Sequence, residues 1–306
     1  MIENILEISQ QNLYLHSNRG FLIIEEDKKE IEKIPIDEIS TLLITNSNNS
    51  ISLKLIEKLL ENNIVVVFCG KNYLPISILQ PLDFHTNQKM RLDLQISVKS
   101  HLKAELWQSL MKHKIYNQAQ VLKYFKLDYQ YLINLSQNVL LNDSKNYEAV
   151  AAQKYFTTLF GGKFYRDDES NIMNALLNYG YAVIRGTVAR SICACGFNMS
   201  LGIHHKNQFN SFCLVDDIME PFRPFVDILA IKIFEKNRKL LELDNETKKI
   251  LASILTLNIR YDGKIGSLAN AIMFFSQTLL KSYLENKNML TFPEFYLKNL
   301  NDIIKI

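Results

Sequence analysis

Between Pro81 and Pro221 the chain runs 139 residues without a proline, and from Lys71 through Phe160 it also lacks glycine. Proline removes an amide donor and clashes with the preceding turn, while glycine costs about 1 kcal/mol in a helix interior. A region that excludes both breakers for so long is read as helical. Within it, Leu92–Ile115 and Tyr116–Leu141 repeat Leu, Ile and Tyr at helical spacing. Leu251–Tyr283 does likewise, around a loop at Tyr261-Asp262-Gly263-Lys264.

The residues ahead of Pro81 have a different character. Ile5–Ile8, Leu13–His16, Phe21–Glu25, Ile39–Thr45 and Ile64–Phe68 are short and rich in branched or aromatic side chains. Asn18-Arg19-Gly20 and Asn46-Ser47-Asn48-Asn49 supply turn chemistry between them. Ser50–Asn62 carries Leu53, Ile56, Leu59 and Leu60 at helical spacing behind serine caps. The expected fold is α+β: a small N-terminal β-strand domain over residues 1–80, then a larger all-α C-terminal domain over residues 81–306. The linker is expected around Pro75 to His85. No internal repeat and no low-complexity tract is present.

Composition narrows the class further. A chain of 306 residues with 47% hydrophobic and 22% charged residues is ordinary globular protein, which excludes wholesale disorder and collagen-like repeats. Four cysteines in a chain of this length do not make a disulfide framework. The apolar run Ile64–Cys69 is too short to cross a bilayer. Glu3 and Glu7 stand where a signal peptide needs a basic start and an apolar stretch. A cytoplasmic protein without a membrane partner is expected. The net charge is only +3, but residues 1–80 hold 7 basic against 11 acidic side chains, and residues 81–306 hold 28 against 21. The basic remainder suits an anionic partner.

Three segments could carry chemistry. In Tyr147–Phe156, helical spacing puts Glu148 on one stripe with Ala151, Ala152, Tyr155, Phe156 and Leu159. A lone carboxylate on an apolar stripe needs a cation, either a metal or an arginine. It also reads as a helix-start Glu favoured by the helix dipole. In Leu201-Gly202-Ile203-His204-His205-Lys206-Asn207, adjacent histidines diverge, so at most one points into a given site; a surface pair is the plainer alternative. In Asp216–Asp227, Asp217 or Asp216 can share a helical face with Glu220, and Arg223 and Asp227 extend the stripe. Clustered acids with a nearby His form an oxygen-plus-imidazole set that suits manganese or magnesium. A solvated acidic helix is disfavoured by Leu214, Val215, Ile218, Met219 and Phe222. Pro221 and Pro224 mark an unusual demand on the backbone. A zinc site from Cys193, Cys195, His204, His205 and Cys213 fits poorly, because Cys-x-Cys is not the usual pair spacing.

Together these segments resemble the CRISPR-associated spacer-acquisition integrases, the Cas1 endonuclease family, with wording most like the type II branch. The matching features are Glu148 within E-x-x-A-A-x-x-Y-F, His205 within L-G-I-H-H, and D-D-I-M-E-P-F-R-P ending at Val226-Asp227. The order of a β then an α domain agrees. The resemblance implies that Glu148, His205 and Glu220 are the catalytic metal ligands for Mg2+ or Mn2+, with Asp217 either a ligand or a group that orients one. It implies a metal-dependent DNA integrase and endonuclease that joins 3′-OH ends of spacer DNA to a repeat array by transesterification. The implied partners are double-stranded DNA, a second copy through the β domains to form a homodimer, and a Cas2 dimer flanked by two such dimers as a hetero-hexamer. Lys89, Arg91, Lys163, Arg166, Arg185, Arg190, Lys206 and Arg223 are the expected phosphate contacts. The alternatives are a non-catalytic DNA-binding subunit of the same fold and a helical nucleotide phosphohydrolase.

Overall fold

The serine-capped segment after Ser50 does form a helix, Leu53–Glu61 (α1), with Ser52 Oγ accepting from the Leu55 amide at 3.2 Å. Its stripe buries Leu55 and Leu59. The computed structural model describes residues 4–70, 75–81, 88–162, 164–238 and 240–295, in two compact units, 1–86 and 87–306.

In the first unit the strands are Asn4–Ile8 (β1), Leu13–Asn18 (β2), Phe21–Glu26 (β3), Lys29–Pro35 (β4), Ile39–Ile44 (β5), Ser50–Ile51 (β6), Val65–Cys69 (β7) and Pro75–Leu79 (β8). They make two four-stranded sheets, ordered β1-β5-β7-β8 and β4-β3-β2-β6. β1, β5 and β7 pair in parallel, while β8 closes that sheet antiparallel. Leu15, Leu22, Ile24, Leu42, Leu55, Leu59 and Val66 pack into one core. Three strands depart from the sequence reading. β6 takes Ser50–Ile51, the first two residues of the segment read as helical. β4 is an edge strand, exposed over most of its length, so its charges hide the alternation of a half-buried strand. β8 begins at Pro75, inside the expected linker; proline is tolerated at a strand start on a sheet edge.

In the second unit the helices are Gln88–Ser97 (α2), Ser100–Tyr124 (α3), Gln130–Gln137 (α4), Tyr147–Phe160 (α5), Ile172–Ala194 (α6), Cys213–Met219 (α7), Arg223–Lys236 (α8), Asn245–Ala252 (α9) and Leu268–Leu284 (α10). α3 packs against α4, α5 and α8 and against a 3-10 turn at Glu220–Phe222; α6 packs against α7, α8, α9 and α10. The unit is helical but not all-α. Asn258–Tyr261 (β9) and Lys264–Ser267 (β10) form an antiparallel hairpin where a helical tail was expected. Asp262 and Gly263 both take positive φ, the geometry of a tight hairpin turn. Among the described residues no helix is long and apolar enough to cross a membrane.

Candidate active site

α5 starts at Tyr147 because Asp143 caps it. Its two carboxylate oxygens accept from the amides of Tyr147 and Glu148, each at 2.9 Å, satisfying two donors that a helix start leaves open. This fixes Glu148 in the first turn, and its carboxylate meets the ammonium of Lys114, a buried residue of α3. The same ammonium lies 2.5 Å from Glu220 Oε2. Glu220 opens the 3-10 turn that separates α7 from α8. Pro221 sits at the head of that turn and Pro224 at the head of α8, positions where a missing amide costs little. Asn117 of α3 donates to the Pro221 carbonyl at 2.8 Å and ties the turn down.

The cation that Glu148 needs is therefore a lysine, from a helix that no sequence pattern singles out. Arg223 Nε reaches the second oxygen of Glu220 at 2.8 Å. Burial pushes the Glu220 carboxyl up, but Arg223 and Lys114 more than reverse this and hold it at about 2. Burial likewise opposes the charge on Lys114, yet Glu220 and Glu148 leave its pKa above the ordinary value.

Gly202–Lys206 forms the second half of the site. Asp217, fully buried on α7, accepts from the amides of Ile203 (2.5 Å), His204 (3.0 Å) and His205 (3.2 Å) and contacts His205 Nδ1 at 2.6 Å. Its two oxygens are thus spent on the loop, and Asp217 orients His205. That contact raises the His205 pKa against the effect of burial, and Glu220 adds to the rise. A β-carbon at Gly202 would collide with the His205 carbonyl and stand 2.8 Å from Asp217 Oδ2, so only glycine fits. Trp107 of α3 lies flat on His204, ring centroids 4.1 Å apart and planes at 4°, and meets His205 edge-on. The two histidine rings stand at 86° to each other, divergent as adjacent residues should be.

A cavity of about 240 Å³ opens onto the carboxylates, lined by Lys114, Gln118, Glu148, Ala152, Phe156, Arg166, Tyr181, Glu220, Arg223 and Asp227. Arg166 is held there by Asn174 and by Asn178 at 2.9 Å. Asp227 accepts from the hydroxyls of Tyr155 and Tyr181. What the residues leave unsatisfied decides whether a divalent ion suits them. Gln118 Oε1 is a buried oxygen without a hydrogen-bond donor on the wall of this cavity, and Glu220 Oε2 there meets the Lys114 ammonium. The carboxylates of Glu148 and Glu220 and the amide oxygen of Gln118 line this cavity and are hard ligands of the kind Mg2+ and Mn2+ take. The donor set fits.

The three sequence-derived ligands are not equally placed. Glu148 and Glu220 converge on Lys114, whereas His205 is absent from the cavity lining. Among the described residues no three His, Cys, Asp or Glu side chains gather closely enough to hold an ion. Glu148 and Glu220 share the Lys114 ammonium, while the third donor, His205, is held on Asp217 away from the cavity lining. Among the expected phosphate contacts, Arg223 pairs with Glu220, and Arg185 pairs with Asp216 at 2.7 Å and covers Phe212. Lys89 pairs with Asp93, and Lys163 lies outside the described residues. The cysteines favour no zinc: Cys193 and Cys195 are buried thiols pushed up to about 12 by burial.

Comparison with known proteins bears on this geometry. The family model for CRISPR associated protein Cas1 matches residues 6–256. The chain belongs to the Cas1 family. Among Cas1 relatives, the CRISPR-associated endonuclease Cas1 of Neisseria meningitidis serogroup C (strain 8013) is 35% identical over 260 residues, 84% of this chain and 85% of that protein. A Cas1 endonuclease of Francisella tularensis subsp. novicida (strain U112) is 28% identical over 85% of this chain and 89% of its own. Of solved structures, a casposase bound to integration product aligns with TM-score 0.83 and 18% identity, covering 98% of both chains. The Cas1 protein of Thermotoga maritima aligns at 0.75 and 15%, covering 94% of this chain and 99% of that one. At such identities these two show a shared fold.

Proposed function

We propose that Glu148, His205 and Glu220 hold a divalent ion, Mg2+ or Mn2+, for the DNA-joining and DNA-cutting chemistry of CRISPR adaptation. As a Cas1 protein the chain is a CRISPR-associated endonuclease and integrase, and DNA and Cas2 are its partners. The observation that carries the reading is the convergence of Glu148 and Glu220, from separate elements, on one buried positive charge beside an open cavity. Bound there, the ion would neutralise phosphate oxygens and stabilise charge growing on the attacking and leaving oxygens.

The chain's own groups supply the rest. A 3′ hydroxyl of incoming DNA attacks a phosphodiester at a repeat boundary. A new P–O bond forms, the old one breaks, the attacking hydroxyl loses its proton and the departing strand oxygen gains one. Glu220, held at about 2, stays anionic at every working pH. Asp217 occupies His205 Nδ1 and so leaves Nε2 as the nitrogen that would meet a ligand. Arg166, fixed by its two asparagines in the cavity wall, offers a guanidinium to a phosphate. No covalent protein intermediate is needed.

The N-terminal unit pairs with a second copy, a role supported by the exposed edge strand β4. Two such dimers flank a Cas2 dimer in the assembly we propose. Glu148→Gln and Glu220→Gln each lower strand joining by about 100-fold or more while DNA binding persists, measured with a duplex spacer, Cas2 and a supercoiled array plasmid. EDTA removes joining from the wild type. Joining retained in both variants or in EDTA overturns the metal mechanism.

A further inference from the structure

Three cations, Lys114, Arg166 and Arg223, and three carboxylates, Glu148, Glu220 and Asp227, line the active-site cavity. With all six ionised the cavity is neutral before any ligand enters. Arg166 and Arg223 are anchored, the first by Asn174 and Asn178, the second against Glu220 and the Tyr181 ring. Lys114 differs. Its ammonium stands between Glu148 and Glu220, the place that the proposed ion would take.

A divalent ion cannot simply join this arrangement. Two positive charges would enter a balanced cavity, against an ammonium already at the shared oxygens, at a distance where like charges repel strongly in a buried setting. Something must leave, and Lys114 is the group able to do so, on a flexible four-carbon stem with its charge at the tip. A DNA phosphate arriving in the cavity supplies the negative charge that a displaced ammonium then lacks. We propose that Lys114 is a resident cation of this site, exchanged for the divalent ion, so that metal and DNA binding are coupled through its movement. The inference rests on the metal-site reading given above. Lys114 keeps its proton throughout; only its position changes.

The test is Mn2+ affinity of the full-length protein, read from the electron paramagnetic resonance of free Mn2+, with and without a duplex whose 3′ ends are dideoxy. In the wild type the duplex tightens Mn2+ binding by about 10-fold or more, within the ordinary range of site-to-site coupling. Lys114→Met binds Mn2+ about 10-fold more tightly than wild type without DNA, and the duplex then adds little. Lys114→Arg, which restores a cation, returns the wild-type pattern. Equal or weaker Mn2+ binding by Lys114→Met overturns the exchange. Should Lys114→Met be unfolded without metal, thermal melts decide: recovery of a cooperative transition in Mn2+ supports the exchange, and no recovery overturns it. Glu148→Gln separates the two ideas. If it leaves wild-type Mn2+ binding unchanged, the metal-site reading has failed; if it abolishes binding while Lys114→Met has no effect, only the exchange has.

Discussion

Asp227 takes its buried hydrogen bonds from two neutral donors, the hydroxyls of Tyr155 and Tyr181. Burial raises its pKa to about 6, with the two hydroxyls and the nearby arginines working against the rise. A carboxyl whose folded pKa lies above its unfolded value near 3.9 contributes its stability in full below that unfolded value. The contribution is lost as pH climbs through the folded value. Relative to Asp227→Asn, the wild type should therefore lose about 2–3 kcal/mol between about pH 4 and pH 7, read from denaturant midpoints across that window. A gap between the two proteins that does not change with pH removes the effect. At this scale the sequence was partly legible. Glu148, His205 and Glu220 stand in recognisable local patterns, but Lys114 does not. It is one of several lysines on α3, and what distinguishes it is contact with residues far along the chain.

Among the elements, α5 shows how a short loop positions chemistry. Asn142, Asp143 and Asn146 all take positive φ, which folds the chain back so that Asp143 caps the helix beginning with Tyr147 and Glu148. Asp143→Ala should cost roughly 1–2 kcal/mol of stability and lower strand joining, because the turn that aims Glu148 frays. Chemical denaturation and the joining assay check both effects; unchanged stability would show that the cap is idle. The long tract free of proline and glycine announced the helices, though not their ends. The break after α3 comes at Lys126, with positive φ, and at Asp128, whose side chain accepts from the Gln130 amide. Neither is a strong breaker in sequence. The hairpin β9–β10 escaped because its strands are four residues each, too short for a period of two to outweigh the helical spacing around them.

For the molecule as a whole, the charge asymmetry of the sequence persists at the boundary between the two units. Residues 1–86 hold 7 basic and 12 acidic side chains, and residues 87–306 hold 28 and 20. The basic balance falls on the unit that contains the candidate site. DNA affinity should decline log-linearly with salt, and Lys206→Ala, at an exposed position beside His205, should flatten that slope by about 1. A slope unaltered by the substitution takes Lys206 out of the phosphate path. Trp107 has a consequence of its own. It is the single tryptophan in 306 residues, and it lies face to face with His204. Indole emission from the entire protein is thus a one-site optical reporter, and any ligand that lifts the histidine loop off that ring will register as a change in brightness without a label.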